Sequence, residues 1–388
     1  MKHRIVVLGA GYTGMMAAHG IARRTKDTDV TLVNPTDVFT ERLRQHQVAV
    51  GQELAVHRIP DLVKPAGVAF VQGRAARIDA AGRRVILDDG RELIYDYLVY
   101  AIGSTTPRVE HAFTIDDPAF AQALRSNAEG VLAVCGAGLT GIEAAAEAAE
   151  AYPGLRVLLL SRGEPGSMMG PKARAYLMNT LDRLGVEIRT GVTVARVLPH
   201  AVELSGGELV PSDVTLWTTG VVQDRLAADA GLAVDDTGRV VVDAVLRSAS
   251  HPEVFAIGDA AAIRQAYGTI HGTCQSGIPT GAHTAESITR ILRGKGPRPF
   301  RFGYIHQPVS LGRKDAVIQF TNPDDTPSRW YLKGRAAIAY KEAVSSSPLK
   351  FYRSKTAVPS AFTKRTGGRR NRLVPATPLT NLSKGSAR

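Results

Sequence analysis

Two glycine triplets are the residues in this 388-residue chain whose types and spacing could do chemistry. The first is Gly9-Ala10-Gly11-Tyr12-Thr13-Gly14. The second is Gly136-Ala137-Gly138-Leu139-Thr140-Gly141. Each follows a short apolar run (Ile5–Leu8 and Val131–Val134) and opens a stretch suited to a helix. In such a strand–turn–helix unit the first glycine makes the tight turn. The second lets the backbone approach a pyrophosphate, and the third lets helix and strand pack closely. The helix N-terminus then offers free N–H groups and partial positive charge to the phosphates. One such triplet is weak evidence. Here the spacing of 25 residues from Gly9 to Asn34 is matched by 25 from Gly136 to Ser161, so the unit is duplicated in register.

The residue ending the second strand of each unit reads the adenosine ribose, and a carboxylate there repels a 2′-phosphate. The first unit has Asn34, which can still hydrogen-bond a ribose. The second has Ser161 followed by Arg162. A missing carboxylate and an adjacent guanidinium favour NADPH over NADH at the second site. The histidines lack metal-ligand spacing, so no metal is expected.

These turns need parallel strands with helical crossovers, and the sequence supplies them. Val30–Val33 and Arg156–Leu160 read as the second strands of βαβ units, with helices reaching about Arg24 and Ala151. Further strands are expected around Val68–Gln72, Val85–Leu87, Tyr97–Ile102, Glu187–Thr190, Val214–Thr218, Val240–Val242 and Val254–Ile257. No apolar run approaches the ~20 residues of a membrane span. The N-terminal apolar run stops at Gly9, too short for a secretory signal. Cys135 and Cys274 are the only cysteines and stand far apart, which excludes a Cys-x-x-Cys pair and fits a reducing, cytoplasmic setting.

Charge is unevenly placed. Residues 1–342 hold 38 basic and 36 acidic side chains, whereas 343–388 hold ten basic and none acidic. Ser, Pro, Gly and basic residues dominate from Ser345, and Leu349, Phe351, Tyr352, Val358 and Phe362 show no sustained helical period. Residues 345–388 therefore read as a disordered, solvated tail, one able to contact an anionic membrane. The tail lacks interleaved aromatic residues, so sequence-specific nucleic-acid binding is not expected.

Three more segments carry a family resemblance. Tyr95–Ser104, Asp213–Gly220 and Val254–Ala260 resemble the two return strands and the Gly-Asp segment of the two-dinucleotide flavoprotein reductases. With the glycine turns they make five ordered motifs over roughly residues 1–320. Within that superfamily the chain resembles the type II NADH dehydrogenase and apoptosis-inducing-factor-like branch. Disulfide reductases need two cysteines beside the flavin, which this chain lacks. The resemblance implies an α/β fold of two Rossmann-like domains, with the NAD(P)H domain inserted in the FAD domain and a C-terminal segment following. The expected boundaries are 1–110 with 240–305 for FAD, 111–239 for NAD(P)H, 306–344 for an interface region and 345–388 for the tail.

By the same resemblance FAD lies along Gly9, Ala10, Gly11, Thr13 and Gly14, with Asn34 near its ribose. Ala101, Gly103 and Gly258 line its site, and Asp259 binds the ribityl chain. Gln47 aligns with a flavin-contacting arginine of relatives. Gly136, Gly138, Thr140, Gly141, Ser161, Arg162 and Gly220 line the NAD(P)H site. Glu143 matches a carboxylate that reaches toward the nicotinamide, and Cys274 stands where it could touch the flavin edge; these two are the candidate catalytic residues. Hydride transfer asks the protein for orientation and electrostatics rather than a nucleophile. The expected activity is an FAD-dependent NAD(P)H:acceptor oxidoreductase, with a quinone or another small molecule as acceptor. Ile270–His283 departs from the Ala-Gln-x-Ala-x-x-Gln pattern of quinone-binding relatives. A redox-regulated flavoprotein whose basic tail binds a membrane or nucleic acid is the competing expectation. A homodimer stays open, as does a peripheral place on the inner face of the membrane.

Overall fold

A computed structural model describes residues 2–354. The elements that frame the site follow in chain order. Strand β1 (His3–Leu8) leads into helix α1 (Tyr12–Arg24) and β2 (Thr28–Asn34). Helix α2 (Gln45–Ala49), β3 (Ala69–Gln72) and β4 (Tyr97–Tyr100) come next. Strand β5 (Val131–Cys135), α3 (Leu139–Ala151) and β6 (Arg156–Leu160) repeat the opening unit. Helix α4 (Pro171–Arg183), β7 (Glu187–Arg189), β8 (Val214–Trp217) and β9 (Val254–Ala256) follow. Then come α5 (Cys274–Leu292), the antiparallel strands β10 (His306–Ser310), β11 (Ala316–Thr321) and β12 (Pro327–Lys333), and α6 (Gly334–Arg353).

Two parallel sheets organise the chain. The first runs β9-β4-β1-β2-β3 and the second β7-β6-β5-β8. All neighbours in both are parallel. Ile5–Leu8 and Leu132–Cys135 are buried throughout, as strands covered on both faces must be. The second sheet's residues fall in sequence between strands of the first, so the expected α/β architecture of two Rossmann-like units is present. Two three-stranded antiparallel sheets accompany them, Ala75–Asp79 with Arg84–Leu87 and Glu92–Ile94, and Val194–Leu198 with Ala201–Leu204 and Leu209–Pro211.

Helix α5 packs on α1 at a distance that only glycine permits. A Cβ on Gly281 would collide with the carbonyl oxygen of Thr13. Its N-terminus is closed by a capping box, in which Thr273 accepts from Ser276 N at 3.1 Å and Ser276 Oγ accepts from Thr273 N at 3.1 Å.

One expected boundary is corrected. Residues 345–353 are not tail but the second half of α6. Ser345, Leu349 and Tyr352 share the face that starts at Lys341 and are buried. The Tyr352 ring stacks on His19 of α1 at 5.2 Å, and its hydroxyl donates to Tyr12 O at 2.8 Å. Tertiary packing against α1 thus overrides a Ser-Ser-Ser-Pro run of poor helix formers. Residues 355–388, where the rest of the expected tail falls, lie outside the described residues.

Candidate functional site

The register of β1 against β2 and β4 brings the first glycine turn between Asn34 and Ala101. Gly9 has φ +96°, and a Cβ there would lie 2.5 Å from Ala101 O. A Cβ on Gly14 would strike the carbonyl of Gly9. On Gly11 it would meet nothing within 4 Å. The first and third glycines are therefore required by packing, whereas the middle one leaves its face open for a ligand. Thr13 lies against Gly258, its hydroxyl 3.1 Å from where a Cβ of Gly258 would stand. Asn34 Oδ1 accepts from Ala10 N at 3.0 Å, and its Nδ2 donates to Thr36 O at 2.8 Å. The Asn34 amide thus braces the turn from the cleft wall.

From this turn a cleft of about 200 Å³ runs past Asn34, Gly103 and Ser104 to Gln223. A second cleft of about 90 Å³ continues from Ser104 and Gln223 to Gly258, Asp259 and His271. Ser104 Oγ donates to Asp259 Oδ2 at 3.1 Å, and Gln223 Nε2 donates to Asp259 O at 3.1 Å. An elongated dinucleotide fits these residues, with an uncovered glycine at its pyrophosphate and a fixed carboxylate at the far end for ribityl hydroxyls. Gly11 and Asp259, the latter held by Ser104, are the residues that would receive FAD there.

The second turn repeats the arrangement. Gly136 has φ +115°, and a Cβ there would lie 2.9 Å from Thr218 Oγ1. A Cβ on Gly141 would strike the carbonyl of Gly136, and one on Gly138 would meet nothing within 4 Å. Thr218 and Thr219 donate to Cys135 O, each at 3.0 Å, and lead to Gly220 at φ +80°. Thr140 is exposed on the first turn of α3. Ser161 directly follows β6, its N–H donating to Arg189 O at 2.9 Å. Arg162 is exposed and has no ion-pair partner among the described residues.

Glu143 is not a free carboxylate. It faces a junction where α2, α3, α6 and the β10–β11 hairpin meet. Lys341 Nζ contacts Oε1, Ser310 N donates to Oε1 at 2.9 Å, and His46 Nδ1 lies 3.5 Å from Oε2. Burial pushes the Glu143 carboxyl up, but Lys341 and then His46 outweigh it and hold it below its ordinary value. One turn on, the fully buried Glu147 pairs with Arg313 at 2.7 Å; burial wins there and raises its carboxyl. His46 lies between the two glutamates, and burial lowers its imidazole to about 4 against the opposing pull of the Glu143 charge. Gln47, expected at the flavin, is buried in the same junction. With its amide oxygen turned toward Arg313 it accepts from Nη1 at 2.6 Å and Nη2 at 3.2 Å.

Sequence reasoning missed His46, Glu147, Ser310, Arg313 and Lys341. Only Glu147 carried a signal, as a second carboxylate one turn from Glu143 in an alanine-rich helix. Cys274 is the first residue of α5. Burial, helped by the Asp259 charge, pushes its thiol up to about 12. Cys135 lies in β5, its thiol likewise pushed up to about 12 by burial. Both are free thiols, protonated at neutral pH and held in different sheet units. No group of metal-ligating side chains occurs among the described residues. No helix among them is long and apolar enough to cross a membrane.

Residues 3–287 match the family described as pyridine nucleotide-disulphide oxidoreductase. A NADH dehydrogenase-like protein of Mycobacterium tuberculosis is 34% identical over 355 residues, covering 81% of this chain and 87% of that protein. A type II NADH:quinone oxidoreductase of Staphylococcus epidermidis is 26% identical over 362 residues, covering 81% and 89%. Among solved structures, the sulfide:quinone oxidoreductase of Aquifex aeolicus superposes with a TM-score of 0.78 at 19% identity, covering 91% of this chain and 92% of that one.

Proposed function

The chain belongs to the pyridine nucleotide-disulphide oxidoreductase family and is an oxidoreductase using FAD and NAD(P)H, and on that premise we propose that NADPH is its donor and a quinone its acceptor. The observation that carries this reading is the pair of glycine turns, each with its middle glycine uncovered and its outer two locked. Bound FAD supplies a two-electron relay between nicotinamide and acceptor. The protein's part is positional. Gly11 and the α1 N-terminus receive one pyrophosphate, and Asp259, fixed by Ser104, holds the ribityl end. Gly138 and the α3 N-terminus receive the second nucleotide.

NADPH is favoured because the strand end at Ser161 has no carboxylate and Arg162 has no competing ion pair. A quinone is favoured by the relatives bearing quinone-reductase names. The two cysteines support it too, because neither thiol is ionised and they sit in separate units, unsuited to disulfide exchange. The junction at Glu143 stiffens the seam between the two nucleotide units. The basic chain beyond Ser354 is proposed to hold the protein at an anionic membrane. The test is flavin reduction without oxygen. Wild type should be reduced faster by NADPH than by NADH, and Ser161→Glu with Arg162→Ala should reverse the order. A severalfold NADH preference in wild type would contradict the donor assignment.

A further inference from the structure

Just ahead of α5 lies a polar group that none of the contacts above uses. His271 lines the same cleft as Asp259. Its neighbour Gly272 abuts the Asp259 carboxylate, and a Cβ there would collide with Oδ1. The His271 ring stacks on Tyr304, with centres 4.6 Å apart and planes 14° from parallel. The Tyr304 hydroxyl accepts from His271 N at 3.0 Å and donates to His271 O at 3.3 Å. Ring and backbone are thus both fixed.

Across the ring, Nε2 lies 3.2 Å from Oδ2 of Asp325, in the turn between β11 and β12. Asp325 has φ +69°, the left-handed region that a side chain adopts at a cost. Its Oδ1 is buried with no hydrogen-bond partner. The positive φ and the unpartnered buried oxygen both single out Asp325 within this turn. His271 Nδ1 has no protein partner among the described residues, and the side chain is 59% exposed. The ring can therefore exchange protons with water while Asp325 holds its orientation. The other charged or titratable groups around it are Asp324 in the same turn, Tyr304 and Tyr267 beneath, and Asp259 and Arg239 across the cleft.

We propose that the Asp325–His271 dyad delivers the proton that quinone reduction requires. The proposal rests on the quinone reading above. Converting a quinone to a quinol takes two electrons and two protons. The hydride from the donor carries both electrons and one proton. The second proton passes from the imidazolium to a quinone oxygen, breaking one N–H bond and forming one O–H bond. Water then reprotonates the ring. Asp325 balances the positive charge while the ring holds that proton, the arrangement that orients histidine acids in general.

The test begins from holoenzyme reduced by dithionite, which removes dependence on the nicotinamide donor. Reduced enzyme is mixed with a soluble benzoquinone or with ferricyanide, which accepts electrons without protons. His271→Gln should slow reoxidation by the quinone by about tenfold or more, the lower end for loss of a general acid. Reoxidation by ferricyanide should be unchanged. Asp325→Asn should slow the quinone reaction in the same selective way. Independently of turnover, nitrogen-15 spectra of histidine-labelled holoprotein should show the proton of the neutral His271 ring on Nε2. Asp325→Asn should shift that tautomer toward a mixture. Equal slowing with both acceptors, no slowing with either, or a tautomer indifferent to Asp325 would overturn the dyad. Wild type that reduces ferricyanide but not the quinone would overturn the quinone reading, leaving the spectra to judge whether the dyad exists.

Discussion

Lys341 and Glu143, 198 positions apart, form an ion pair that ties helix α6 to the helix of the second glycine turn. Their side chains are 11% and 14% exposed. Removing one partner of such a pair strands the other, whereas removing both is far milder. Lys341→Met should therefore cost about 3 kcal/mol in denaturant unfolding, and Lys341→Met with Glu143→Gln should recover most of it. A double variant less stable than the single would contradict this account of the junction.

The two junction glutamates titrate in opposite directions, which fixes a pH signature. Glu143 is held below its ordinary value, so its contribution is present above the unfolded pKa of about 4.3 and is lost as pH falls through the folded value. Glu147 is raised, so its contribution is present below that reference and is lost as pH rises through the folded value. At pH 7, Glu143→Gln should destabilise more than Glu147→Gln. The gap should narrow as pH drops below about 4. Unfolding curves of both variants across pH check this.

The glycine turns separate folding from binding. Gly14→Ala and Gly141→Ala force a Cβ against backbone and should cost about 1–3 kcal/mol. Gly11→Ala and Gly138→Ala meet no protein atom and should leave the melting of ligand-free protein unchanged. They should nonetheless weaken FAD and NADPH, respectively, by at least about tenfold, a loss of about 1.4 kcal/mol. Calorimetry with ligand titration distinguishes the two classes.

Asp259→Ala should release flavin, because the carboxylate positioned by Ser104 is lost while the cleft persists. Full flavin content in that variant after dialysis would contradict the assignment of the far end of the groove.

Two truncations test where the body ends. Removing 355–388 should preserve melting and flavin, while abolishing binding to anionic liposomes that salt otherwise screens over about 8 Å. Removing 345–388 takes away the buried Leu349, Phe351 and Tyr352 and should unfold the C-terminal contact with α1. Tyr352→Ala alone should cost about 3–5 kcal/mol.

Much of the fold was legible because glycine spacing and apolar strands are local signals. Gly9 and Gly136 each follow four or more buried strand residues, and that pattern survives in one dimension. The junction was not legible, because Lys341 reaches Glu143 from the far end of the chain and nothing near either residue announces the other. Helix α6 was missed for a related reason. Ser345, Ser346, Ser347 and Pro348 disfavour a helix locally, and packing of the buried Leu349, Phe351 and Tyr352, the last on His19 and Tyr12, offsets that. Asn34 was expected at the ribose from its place in the strand. Its bond to Ala10 N, which braces the turn, could be seen only in three dimensions.

The proposed activity moves electrons from a nicotinamide nucleotide through bound flavin to a quinone. It is tested most directly by mixing oxidised, flavin-loaded protein with NADPH without oxygen, then with a soluble benzoquinone. The flavin's visible band should bleach with one equivalent of NADPH and return on adding quinone, yielding one equivalent of quinol. A band that NADPH and NADH both leave untouched, or one that bleaches but does not return with quinone, would contradict it.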